Sequence, residues 1–144
     1  MEKSKRIEPI VNLAKNSERE AVKALGDALQ ALNSQIERLD QLIAYKAEYA
    51  ERLSLSGGKG INVQQLNEYR EFIDKLSLAI DQQTQAVSQA RQNLDDKKRF
   101  WFAKRGRSKA LDAVLDRYLD DEQYQLEKKE QNEIDDRNNR PGPD

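Results

Sequence analysis

Three groups of residues in this 144-residue chain have types and spacing that could do chemistry. Gly57-Gly58-Lys59-Gly60 offers the glycines and lysine of a phosphate cradle. A P-loop, however, needs Gly-x-x-x-x-Gly-Lys-Ser/Thr between a strand and a helix, and here a glycine follows the lysine while a helical pattern precedes the loop. The segment reads as a turn. The acidic pairs Asp95-Asp96, Asp120-Asp121 and Asp135-Asp136 have the composition of metal ligands or of a general acid and base. Neighbouring residues of a helix point in different directions, so such pairs do not converge on one ion or one substrate atom and read as solvated surface. The third group, Lys97 to Lys109, interleaves Phe100, Trp101 and Phe102 with seven basic residues and no acidic one. That pattern suits an acidic protein partner, plain solvated surface, or a nucleic acid or lipid headgroup.

The residue types that are missing narrow the chemistry further. There is no cysteine, which removes thiolate ligands, thiol nucleophiles and disulfides. There is no histidine, the commonest general base near neutral pH and the commonest metal ligand. The expectation is a protein that is no enzyme, holds no cofactor or metal, and works by binding other proteins. No stretch approaches the roughly 18 apolar residues a membrane span needs, and Met1-Glu2-Lys3-Ser4-Lys5-Arg6 leads into no signal-peptide core. A cytoplasmic protein with no direct membrane insertion is expected. Its net charge of −1 conceals an asymmetry: Asp112 to Asp144 carries eleven acidic residues against five basic ones, immediately after the basic segment.

What must position these residues is helix. Charged residues make up 35% of the chain and apolar residues 37%, with six glycines and three prolines, the composition of a long helix or coiled coil with a narrow buried stripe. A first helix is expected over about 7–53. Its apolar seam, Val22, Leu25, Leu29, Leu32, Ile36, Leu39, Ile43, Lys46, Ala50 and Leu53, steps by threes and fours, the 3.5-residue period of a coiled coil. A loop follows over 54–62, where clustered glycines permit reversal. A second helix is expected over about 63–135, with Leu66, Tyr69, Ile73, Leu76, Ile80, Gln83, Val87, Ala90, Leu94, Lys97 and Trp101 as its seam. Residues 138–144 read as a disordered tail. The fold class is therefore all-α: one long two-helix antiparallel coiled-coil hairpin over 1–137. Folding about the glycines sets Ile80 opposite Gln35 and Ile36, and Trp101 near Ala14.

Two features of this hairpin point to partners. The second helix is the longer one, and beyond about residue 110 it has no partner from its own chain, leaving Leu111, Val114, Leu115, Tyr118 and Leu119 either to be covered by another protein, the favoured reading, or to fray. Near the loop, Leu42, Tyr45 and Tyr49 of the first helix come alongside Phe72, Leu76 and Ala79 of the second. They are expected to form an exposed aromatic ledge of the kind that marks protein contacts; the competing reading is a locally thicker core.

Leu42-Ile43-Ala44-Tyr45-Lys46-Ala47-Glu48-Tyr49, followed across the loop by Leu66-Asn67-Glu68-Tyr69-Arg70-Glu71-Phe72-Ile73-Asp74-Lys75-Leu76-Ser77-Leu78-Ala79-Ile80-Asp81-Gln82-Gln83, resembles the flagellar FliJ family of type III export proteins. The likeness spans nearly the whole chain. It implies a coiled coil similar to the stalk of the rotary ATP synthase gamma subunit, whose terminal ends enter the ring of a hexameric flagellar export ATPase and promote its assembly and activity. It further implies binding to the large membrane subunit of the export gate, recycling of export chaperones, and a peripheral place at the inner-membrane flagellar base. The family's gate patch falls here on Leu42, Tyr45, Tyr49, Phe72, Leu76, Ala79 and Gln83, although Gln83, like Arg38, stands at an edge where family residues vary. Combining the stalk likeness with the basic segment and the overhang gives Lys97, Lys98, Arg99, Lys104, Arg105, Arg107, Leu111, Leu115 and Tyr118 as the ATPase-ring contact. Two alternatives remain: the stalk of a virulence injectisome, expected to lack the Tyr45/Tyr49 and Phe72 set, and a nucleic-acid-binding hairpin using Lys97 to Lys109.

Overall fold

The computed structural model describes residues 2–58 and 60–139. Two helices account for nearly all of them: α1, Glu2–Gly57, and α2, Val63–Asn139. Ala, Leu, Gln, Glu, Lys and Arg, the strongest helix formers, dominate both. Each helix runs a few residues beyond its expected ends. Of the expected tail, residues 138 and 139 close α2 and the rest lies outside the described residues.

The start of α2 is fixed by a reciprocal cap. The Gln65 amide donates to Asn62 Oδ1 at 2.7 Å, and the Asn62 amide donates back to Gln65 Oε1 at 3.4 Å. Two backbone donors that the helix leaves unpaired are thereby satisfied, with Asn and Gln in the roles of a capping box. Just before it, Gly60 adopts φ 74°, a conformation open to glycine at little cost. Asn62→Ala is expected to cost about 1 kcal/mol in urea unfolding while leaving the helical content unchanged.

Two compact units make up the chain, one formed by Val22–Arg99 and the other by the segments before and after it. In the Val22–Arg99 unit, α1 and α2 close on Ala28, Leu32, Val87 and Leu94, with Leu25, Ile36, Leu39 and Ala90 packed against them. The α2 seam is the one its sequence predicts: Leu76, Val87 and Leu94 are buried, and Leu66, Tyr69, Ile73, Ile80, Gln83 and Ala90 are half-buried. On α1 one expected row, Leu25, Leu32, Leu39, Lys46 and Leu53, also faces inward. The other does not. The second inward row is Ala28, Gln35, Leu42 and Tyr49, one residue earlier than expected, and Val22, Leu29 and Ile43 stand 48–49% exposed. The short Ala28 side chain lets the backbones approach while the bulk of Val87 and Leu94 fills the space between them, a small-against-large fit.

The register differs from the expected one by about one turn. Gln35 faces Gln83 rather than Ile80: Gln83 Nε2 donates to the Gln35 carbonyl at 2.9 Å and to its Oε1 at 2.6 Å. The cause is the length of α1, which continues through Ser54-Leu55-Ser56-Gly57 and moves the reversal point toward α2. A part-buried amide pair of this kind ties one register to another, since sliding either helix leaves both amides unpaired.

In the other unit the seam on α1 is Ser4, Val11, Ala14 and Ala21, with Val11 only 1% exposed, and on α2 it includes the buried Ser108. Ala14 lies in a groove with Lys104 and Arg107, again later on α2 than the expected Trp101. Here α1 begins before Pro9, although an interior proline breaks one helical hydrogen bond and costs about 3 kcal/mol. Contacts with α2 hold the turn that precedes it. Ser4 Oγ donates to Glu122 Oε2 at 2.7 Å and the Ser4 amide to Glu122 Oε1 at 3.2 Å, while the Lys3 ammonium sits 5.7 Å from the Tyr118 ring centre.

Those contacts correct the expected overhang. Leu111, Val114, Leu115 and Tyr118 are half-buried, and Asp112 pairs with Lys15 at 3.3 Å, so one side of α2 is covered by its own chain as far as Glu122, while Leu119 of the expected set stays 48% exposed. Every described residue from 123 to 139 is exposed, including Tyr124, Leu126 and Ile134 at 61%, 45% and 49%. The uncovered stretch is therefore shorter and less apolar than the sequence suggested, with five acidic residues against three basic ones over 123–139.

Candidate docking surfaces

Among the described residues no cluster of three or more Asp, Glu, His or Cys side chains converges as metal ligands would. No helix among them is long and apolar enough to cross a membrane. What the fold presents is surface.

The ledge in the Val22–Arg99 unit is built by the one-residue turn of α1. Bringing Leu42 and Tyr49 into the inner row sets Tyr49 among three other rings: Phe72 at 4.5 Å between centroids, Tyr45 at 5.3 Å and Tyr69 at 6.4 Å, all tilted. Arg52 stacks on the Tyr49 ring at 5.3 Å and is held by a 2.7 Å bond to Glu48. Tilted rings at these distances attract beyond the area they bury.

The seven expected gate residues are not equivalent. Tyr45 and Phe72 are exposed, at 49% and 37%. Leu42, Tyr49 and Ala79 are half-buried beneath them, and Gln83 is committed to Gln35. Leu76, expected on the ledge, is 8% exposed and belongs to the seam. Tyr69 and Arg52 are the ledge residues that sequence reasoning missed. The heptad pattern assigns Tyr69 to the seam alone, and its i+3 spacing to Phe72 is the sign that it also shares the ledge.

The basic segment falls on α2 in both units. Lys97 is half-buried, and Lys98 and Arg99 are exposed. In the other unit the rings and cations are stacked on one another: Trp101 and Phe102 centroids are 4.9 Å apart, Arg105 lies 5.3 Å from the Trp101 ring, and Lys104 lies 5.1 Å from the Phe100 ring. Cation–π stacking holds these side chains in defined positions while their charge stays accessible. Ile10 and Leu13 of α1, 46% and 69% exposed, share a groove with Lys104 and Arg107. Leu111, Leu115 and Tyr118, the apolar members of the expected ring contact, lie half-buried under the first turns of α1 rather than free.

The described residues thus present an aromatic ledge, a stacked cationic strip and an uncovered helix end. Comparison with known proteins supplies the lineage. A family model described as flagellar FliJ protein matches residues 3–141. The flagellar FliJ protein of Salmonella typhi is 30% identical over 111 residues, covering 77% of this chain and 76% of its own length. The flagellar FliJ protein of Escherichia coli K12 is 29% identical over 106 residues, covering 74% and 72%. The chain belongs to the flagellar FliJ family, a non-catalytic component of flagellar export.

Proposed function

We propose that this chain is a coupling protein of the flagellar export apparatus, acting as a stalk in the hexameric export ATPase. In this reading it promotes assembly and turnover of the ring, links it to the large membrane subunit of the export gate, and returns emptied export chaperones for reuse. Its place is peripheral, at the inner-membrane base of the flagellum.

The observation that carries the reading is the Tyr45, Tyr49, Tyr69 and Phe72 ledge, a group of rings held together and partly open to solvent. Aromatic side chains that keep their contact area on the surface are the usual anchors of protein interfaces. It supports the gate contact through Tyr45 and Phe72, with Tyr49 packed against both rings and Leu42, Leu76, Ala79 and Gln83 as the remaining members of the proposed patch. The cationic strip and the bare α2 end support the ring contact, with Lys104, Arg105 and Arg107 offering charge and residues 123–139 offering a free helix. A stalk of this kind supplies no chemistry; it changes turnover only by binding one conformation of the ring better than another.

The test is the ATP hydrolysis rate of the purified flagellar export ATPase with and without this protein, with ring size followed alongside. Stimulation together with larger rings is expected. An unchanged rate under ring-forming conditions would overturn the stalk reading.

A further inference from the structure

Pro9 divides the start of α1 into two lengths that are held differently. Past it the seam is apolar and closed: Val11, Ala14 and Ala21 are all buried. Before it, residues 3–8 offer one apolar side chain, Ile7, which is half-buried in a groove with Lys3, Arg6 and Tyr118. The proline has no N–H, so the helix lacks the bond that residue 9 would give to the Lys5 carbonyl, and the proline ring crowds that carbonyl. At the first position of a helix the same residue is favourable, because its N–H would have no partner there and its φ already suits the helix. A helix that begins at Pro9 is therefore a second arrangement open to α1. What it gives up is the set of contacts made by the residues before the proline.

Those contacts are polar and fall on two side chains of α2. Ser4 gives its hydroxyl and its amide to the Glu122 carboxylate, and the Lys3 ammonium lies over the Tyr118 ring. The same face of α2 continues beyond them. Leu119 and Leu126, 48% and 45% exposed, share one groove with Glu122. Tyr118, Leu119, Glu122 and Leu126 follow the three- and four-residue steps that bring side chains onto one side of a helix. The turn before Pro9 thus covers one part of an apolar face whose other part is open. The charged residues of that groove are Asp121, Glu122 and Lys129, two acids against one base.

We propose that residues 2–8 are a strap that swings off α2 about Pro9 when the partner of this end docks. The partner supplies an apolar surface for Tyr118, Leu119 and Leu126 and a lysine or arginine that takes the place of Ser4 on Glu122. One arrangement keeps the Ser4 and Lys3 contacts; the other relieves the proline and frees Tyr118. No buried apolar side chain precedes Pro9 to decide between them, so a ligand that binds only the open form shifts the balance. Until then the strap keeps the Tyr118 ring and the Glu122 carboxylate covered. That the partner is the export ATPase ring rests on the stalk reading; the strap itself does not.

The test has two arms, both on the full chain. The chain has no cysteine, so Ser4→Cys with Glu122→Cys introduces the only thiols, which a disulfide or a short bismaleimide closes to lock the strap. The disulfide-locked chain is expected to stimulate the purified export ATPase about fivefold less than the same chain after reduction. Hydrogen exchange reads the strap alone. Peptides over 3–12 are expected to exchange about tenfold faster than those over 14–21. Glu122→Ala is expected to speed the first set further and Pro9→Ala to slow it, with the second set unchanged. Equal stimulation by the locked and reduced chains, exchange over 3–12 as slow as over 14–21, or no response to either substitution would each overturn the proposal. If the unaltered chain does not stimulate the ATPase at all, the stalk reading falls, and the exchange result decides the strap.

Discussion

Replacing Tyr49 and Phe72 together with alanine is expected to weaken binding to the large membrane subunit of the export gate about thirtyfold or more, read by titration calorimetry with the purified gate segment. The magnitude follows from the arrangement of the rings. Phe72 is 37% exposed, and the half-buried Tyr49 packs against it at 4.5 Å between centroids and against Tyr45 at 5.3 Å. Central aromatic anchors contribute about 2 kcal/mol or more each when truncated, and 2 kcal/mol corresponds to roughly thirtyfold in affinity. Phe72→Ala alone is expected to lower the thermal midpoint only modestly, because the ring is 37% exposed and gives up chiefly its contact with Tyr49. Leu76→Ala behaves differently. That side chain is 8% exposed, so its loss is expected to cost about 2–4 kcal/mol of stability, with any fall in gate binding tracking the unfolded fraction. If Phe72→Ala and Tyr49→Ala bind the gate segment as the unaltered chain does, the ledge is not the gate contact.

The contrast between Phe72 and Leu76 also shows what could be read before folding and what could not. Along α2 the apolar residues form one row pair and no competitor, so Leu66 through Leu94 fell into the seam as expected. Along α1 two pairings share Leu25, Leu32 and Leu39, and they differ in whether Val22, Leu29, Ile36 and Ile43 or Ala21, Ala28, Gln35 and Leu42 complete them. By hydrophobicity alone the first is better. The choice is made by the partner helix, whose Val87 and Leu94 already fill the space and leave room only for alanine. No property of α1 by itself contains that information. The overhang was misjudged for a related reason. The first helix is expected to start near residue 7, and the contacts that accompany its extension back to Glu2 are with Glu122 and Tyr118, more than a hundred residues away. The aromatic ledge was legible because rings at i and i+4 on one helix need only a short loop to meet Phe72 on the next.

Cutting the chain after Gln123 is expected to abolish stimulation of the export ATPase while leaving the thermal midpoint within a few degrees of that of the full chain. The position of the cut matters. Truncation after Arg107 removes Leu111, Leu115, Tyr118 and Glu122 from beneath the first turns of α1, exposing Val11 and leaving Ser4 without its carboxylate. A protein so altered frays at that end, and its failure to stimulate would say nothing about docking. Truncation after Gln123 keeps all of those contacts and, among the described residues, removes only exposed ones, whose loss costs helical signal in proportion to their number but little folding energy. A mild loss of stability with complete loss of stimulation assigns the ring contact to the bare acidic end. Full stimulation by the truncated chain would instead leave the contact with the stacked Lys104 and Arg105 strip, and charge reversal there, Lys104→Glu with Arg105→Glu, is then expected to remove it.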